Sequence, residues 1–219
     1  MSLSPMLIIE PDFDHLIDLP GAGPTPCPVA LDSRATGFTD LGSLQVHELG
    51  DRAAIDGETG EDEMLIVLLA GAMTVAVTGP QEDGFQLDAD GDWAIYLPPH
   101  HVYRLEPLVP ATVAQARARS SAASSPRAFR PLKGLLLVEE PAERLRLRLL
   151  PLEGETDASA GLDETTERLV HLTGPATVRS RTVTRNLPPG HTLALAPGES
   201  AMVTGEGEIL VVAALGPPR

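Results

Sequence analysis

"EMLIVLLAGAMTVAV", Glu63 to Val77, is an apolar run with a glycine at its middle, and "ERLVHLTGPATVRSR", Glu167 to Arg181, repeats its outline about one hundred residues later. A second pair, "GDWAIYLPP" (Gly91–Pro99) and "GHTLALAPG" (Gly190–Gly198), keeps nearly the same offset. Gly71 thus matches Gly174, Gly91 matches Gly190 and Pro98 matches Pro197. Short apolar runs bounded by Gly and Pro read as buried strands. Two similar β-units therefore follow each other along the chain.

The rest of the sequence agrees. Twenty-one prolines and twenty glycines punctuate short alternating segments, and no long stretch keeps a helical apolar period. Strands are predicted at Leu44–Leu49, Met64–Leu69, Met73–Thr78, Trp93–Leu97, Thr112–Ala116, Leu135–Val138, Leu145–Leu149, Leu169–Leu172, Ala176–Thr184, Leu193–Leu195 and Ile209–Ala214. The small, polar, breaker-rich stretch "ARARSSAASSPRAFRP" reads as a linker or long surface loop. This gives an N-terminal arm over 1–35, a first barrel over 36–116, a linker over 117–131 and a second barrel over 132–219.

Composition narrows the function. Of 219 residues 42% are hydrophobic but only 3% aromatic, so the core is aliphatic, and the formal charge is −15. Nucleic acid is excluded as a partner, because phosphate binding needs basic surface and stacking platforms. The start carries no basic n-region, and Met6–Ile9 is too short for a signal peptide. Met64–Val77, broken by Gly71 and Thr74, falls short of the roughly 20 residues of a membrane helix. Cys27 is the one cysteine and cannot form an internal disulfide. A cytoplasmic protein without membrane contact is predicted, and open edge strands predict a homodimer.

Glycine after an apolar strand, a second glycine, five residues and a proline-rich turn resembles the two motifs of the cupin family, G-x5-H-x-H-x3–4-E-x6-G and G-x5-P-x-G-x2-H-x3-N. The first half, through "DEMLIVLLAGAMTV" and "GDWAIYLPPHHVYRL", is similar to the 5-deoxyglucuronate isomerase family of inositol catabolism, over about residues 40–130. The resemblance implies an all-β chain of two tandem double-stranded β-helix barrels. It also implies an isomerase acting on a sugar acid, with a divalent metal held by three histidines and a glutamate. In the first unit Met64 stands at the glutamate position, "DGETGED" has no histidine pair and Tyr103 falls where the last histidine belongs. In the second unit Glu167 keeps the spacing, but "SAGLDETT" lacks histidines and Ala201 stands at the last ligand position. One glutamate cannot hold a first-row ion. No metal and no cofactor are therefore predicted.

Two functions compete, a metal-free barrel protein that binds a small anion such as a sugar acid, and a sugar-acid isomerase. Glu167, in the acidic "DETTE", is the candidate general base, against an ordinary solvated acidic loop. Residues 1–116 carry three Lys and Arg against nineteen Asp and Glu, while 117–185 carry twelve against nine. Arg179 and Arg181, predicted on one strand face, are the candidate anion ligands. Arg144, Arg146 and Arg148 share a face of "RLRLRLL" and are expected to be a solvated stripe. Trp93, Tyr96 and Tyr103 are candidate pocket residues. His100 sits at the motif's turn-glycine position with His101 beside it, which reads as a rim turn; the alternative joins His101 to His47 and Glu58 as a non-standard metal site.

Overall fold

The structure is a computed structural model that describes residues 6–51, 54–80, 84–91, 93–121, 124–130 and 142–216. The elements begin with β1 (Leu7–Ile9), β2 (Leu16–Leu19), β3 (Gly23–Pro26), β4 (Val29–Asp32), the one-turn α1 (Ser33–Thr36), β5 (Leu41–Leu49), β6 (Ile55–Glu58) and β7 (Asp62–Thr78). Next come β8 (Phe85–Asp90), β9 (Trp93–Leu97), β10 (Val102–Arg119), β11 (Arg127–Phe129) and β12 (Leu145–Pro151). The chain then forms β13 (Thr156–Asp157), β14 (Glu167–Leu172), β15 (Ala176–Arg179), β16 (Thr184–Leu187), β17 (Thr192–Leu195), β18 (Met202–Gly205) and β19 (Glu208–Ala214).

The first unit is organised by two long strands, β7 and β10, paired antiparallel along their length. Met64–Leu68 of β7 pairs with β9 and Ala72–Val77 with β8, so one strand takes two successive partners within a single eight-stranded sheet. β10 does the same with β6 and β5. Gly71 sits at the bend of β7. Its φ is +91°, and a Cβ there would lie 2.3 Å from the Pro110 carbonyl oxygen of the facing strand, which only glycine avoids. In the second unit, β1-β17-β14-β19-β12 faces β13-β18-β15-β16. Gly174 occupies the matching bend, where a Cβ would be 2.1 Å from the Glu206 oxygen. Close approach of backbones at two crossings is thus why the repeat shows its glycines.

Three apolar cores follow from the period-two alternation of these strands. One lies between the two units, where Leu44, Val46, Leu65 and Tyr96 meet Leu147, Leu169 and Val212. Met64, Ile66, Leu68 and Val75 help fill the first barrel, and Val170, Leu172, Leu193 and Val203 the second.

Several expectations change in detail. The segment predicted as linker contains the end of β10, and its Arg127–Phe129 pairs with β9 at the sheet edge. The N-terminal arm is woven into both units, with β4 on β5 and β1 on β17. Ala176–Thr184 is not one strand, because the chain turns at Ser180–Val183 and returns as β16. The predicted strand Leu135–Val138 lies outside the described residues. Cys27 is fully buried, and burial pushes its thiol up to about 11. Among the described residues no helix is long and apolar enough to cross a membrane.

Candidate functional site

The interior of the first barrel carries the least expected chemistry. On β5, Val46 faces the inter-unit core and Leu49 the barrel interior, so His47 also faces inward. On β10, Gln115 falls in step with the inward Val113, and on β9 Trp93 falls in step with the inward Ile95 and Leu97. Val113 pairs with both His47 and Leu68, and Leu68 pairs with Trp93, which sets His47 and Trp93 at one level of the wall. Four polar atoms here, His47 Nδ1 and Nε2, Trp93 Nε1 and Gln115 Nε2, are buried with no hydrogen-bond partner among the described residues. Such groups ordinarily find partners, and each one left bare costs free energy. Burial lowers the His47 pKa to about 4, so the ring is neutral at pH 7.

Tyr103 adjoins these groups within the first-barrel core. Its hydroxyl donates to Gln115 Oε1 at 3.4 Å, and its ring lies on Gly57, where a Cβ would sit 2.4 Å from Tyr103 Cζ. Beside it Arg117 donates to the carbonyl oxygens of Glu58 at 3.0 Å and Thr59 at 3.3 Å, with Asp62 at 4.0 Å.

The residues present do not fit the metal that the cupin motifs hold. Met64 and Tyr103 occupy two ligand positions of the first barrel as buried packing groups, and Ala201 does so in the second. Among the described residues no three of His, Cys, Asp and Glu are grouped to hold an ion. His47, His101 and Glu58 therefore form no such site. His101 is buried, its Nδ1 2.9 Å from the Pro99 oxygen, while His100 is exposed in a left-handed turn with φ 64°.

In the second barrel the strand register moves the expected glutamate off the axis. Arg168 pairs with Leu195 as Met64 pairs with Leu97, so Arg168 is the inward residue. It is 1% exposed and donates to the Glu199 oxygen at 2.9 Å and the Asp163 oxygen at 3.0 Å, tying two loops together. Glu167 points instead into the seam between the units. Its Oε1 accepts from Thr39 N at 2.7 Å and Thr39 Oγ1 at 3.1 Å, and its Oε2 from Asp40 N at 2.7 Å and Leu41 N at 2.9 Å. A carboxylate so occupied is a clamp and not a poised base. Sequence reasoning missed Arg168, hidden in an apolar run.

The remaining predicted residues scatter. Arg179 is ion-paired with Glu155 on the outer face and Arg181 is exposed in the turn after β15, so neither lines a barrel. Tyr96 belongs to the inter-unit core, its hydroxyl 3.1 Å from Ser124 Oγ and 3.3 Å from Glu63 Oε2. Trp93 reaches the first barrel, and the Arg130 guanidinium stacks 5.2 Å from its ring centroid.

A separate cavity of about 330 Å³ opens between the units. Val29, Val46 and Leu69 form its apolar wall, Glu48 and Phe13 are exposed on its rim, and His171 enters from β14. His171 is 5% exposed, and its Nδ1 lies 3.1 Å from Thr192 Oγ1.

No family model and no curated protein matches this chain. Solved structures do. YlbA of E. coli, assigned to the DUF861 family model, superposes with a TM-score of 0.75 at 11% identity, over 95% of this chain and 90% of that one. An IolB-like protein of Salmonella typhimurium LT2 gives 0.72 at 13% identity, over 97% and 94%. Oxalate decarboxylase of Lactobacillus farciminis, crystallised with formate, gives 0.67 at 10% identity, over 100% and 88%. At these identities the likeness carries the fold alone. The fold is that of the cupins, all-β with antiparallel jelly-roll barrels.

Proposed function

We propose that this chain is a two-barrel cupin that works without a metal and binds a small, acceptor-rich molecule such as a sugar acid in its first barrel. The observation that carries the reading is the set of orphaned polar atoms on one barrel wall. Trp93 Nε1 and Gln115 Nε2 are obligate donors, and a neutral His47 adds one more. Tyr103 and Arg117 border the same space, and Arg117 is a cation suited to a carboxylate. Donors fixed in this way match a ligand rich in carboxylate and hydroxyl oxygens. The anion site expected at Arg179 and Arg181 is not kept, because both face outward.

Glucuronate and related sugar acids, titrated calorimetrically in the presence of EDTA, test this. Saturable binding is expected, weakened about tenfold by Gln115→Leu, since one hydrogen bond to a charged ligand is worth roughly 1.5–3 kcal/mol. Binding that requires added zinc or manganese, or that ignores the substitution, overturns it. Metal-supported turnover of the sugar acid would replace it with the isomerase reading.

A further inference from the structure

The cavity between the units lies outside both barrels, and its polarity differs from that of the first barrel. Its least exposed polar lining residue is His171, on the face of β14 that turns towards the other unit. The Thr192 hydroxyl is fully buried, and the His171 ring is its only partner among the described residues. A buried hydroxyl proton without an acceptor is costly, so Thr192 donates to Nδ1. The neutral ring then carries its proton on Nε2, which has no protein partner among the described residues and serves the cavity as a donor. The surroundings of this donor are aliphatic, and the Glu48 carboxylate on the rim repels anions. At about 330 Å³ the cavity is at the small end of the roughly 300–1,000 Å³ range of ligand pockets.

We propose that this cleft is a second binding site, selective for a small uncharged molecule that is mostly apolar and offers one carbonyl or ether oxygen to His171 Nε2. It is independent of the first-barrel reading, because it uses none of the same residues.

Cyclohexanone, cyclohexane and cyclohexanecarboxylate are matched probes, followed by the imidazole resonances of His171 in the whole chain. Cyclohexanone should bind saturably and move the Nε2–H signal. Cyclohexane should bind more weakly, and the carboxylate not at all until Glu48→Gln removes the rim charge. His171→Phe should weaken cyclohexanone about three- to tenfold, the range for one neutral hydrogen bond. Leu69→Trp, which fills the cleft, should abolish binding while thermal unfolding confirms a folded chain. No saturable shift with cyclohexanone, carboxylate bound more tightly than the ketone by the unsubstituted protein, or binding that survives Leu69→Trp each overturns the assignment. Sugar-acid binding in the first barrel is unaffected by these outcomes.

Discussion

Glu63 and Glu167 each clamp the strand entrance of the opposite unit. Glu63 accepts from the backbone amides of Glu143, Arg144 and Leu145, where β12 begins, and Glu167 accepts from those of Thr39, Asp40 and Leu41, where β5 begins. Arg144 and Asp40, one from each clamped segment, form an ion pair across the seam. Removing either carboxylate leaves three amides without their acceptor. Glu63→Ala and Glu167→Ala are each expected to cost on the order of 3–5 kcal/mol in urea unfolding. A loss below about 1 kcal/mol would show that the clamps are ornamental.

His100 holds a left-handed backbone in the tight turn before β10, donating its amide to the Gly60 oxygen at 2.7 Å. That conformation costs a side-chain-bearing residue roughly 1–2 kcal/mol, and glycine returns part of this as lost chain entropy. His100→Gly should raise stability by about 0.5–1 kcal/mol. If it is destabilising by as much, the imidazole has a partner that the turn geometry does not reveal.

The repeat was legible because it marks positions where the backbone leaves no choice. Gly71 and Gly174 are readable in sequence, as is the turn-glycine position held by His100. The site was less legible. Glu63 stands eight residues before its glycine and Glu167 seven before its own. Counting back from the glycine therefore puts Glu167 at the metal-ligand position, whereas the strand register matches Arg168 with Met64. A slip of one residue moves every side chain to the other face. For the same reason Gln115 reads as an ordinary polar residue of an alternating strand, and His47 is singled out only as a partner of His101 and Glu58 in a metal site. Nothing in the sequence says which face of β5 looks inward.

Tyr103 and Gly57 form a coupled pair. Gly57 does not have a positive φ, and the nearest obstacle to a side chain there is the tyrosine ring. Gly57→Ala should destabilise by about 2–3 kcal/mol, in the range of overpacked cores. In the Tyr103→Leu background the same substitution should cost much less, giving a coupling of at least about 1 kcal/mol in a double-mutant cycle. Additive losses would mean that the ring is free to move aside.

Two buried histidines make stability depend on acid. Burial lowers both His47 and His171 from 6.5 to about 4. Between those values the unfolded chain takes up a proton at each ring and the folded chain does not. Stability is therefore fully present above pH 6.5 and is lost as the pH falls towards 4, by about 1.4 kcal/mol per pH unit for each histidine. His171→Phe should remove one such slope, and His47→Leu the other. Carboxylates shared by all the proteins cancel in the difference between wild type and variant. Urea midpoints measured from pH 7 to 4.5 should then converge as the pH drops, because the wild type loses more than either variant. Parallel curves would mean that each ring takes up its proton at the same pH in the folded and the unfolded chain, so that burial does not hold the two histidines neutral into the acid range.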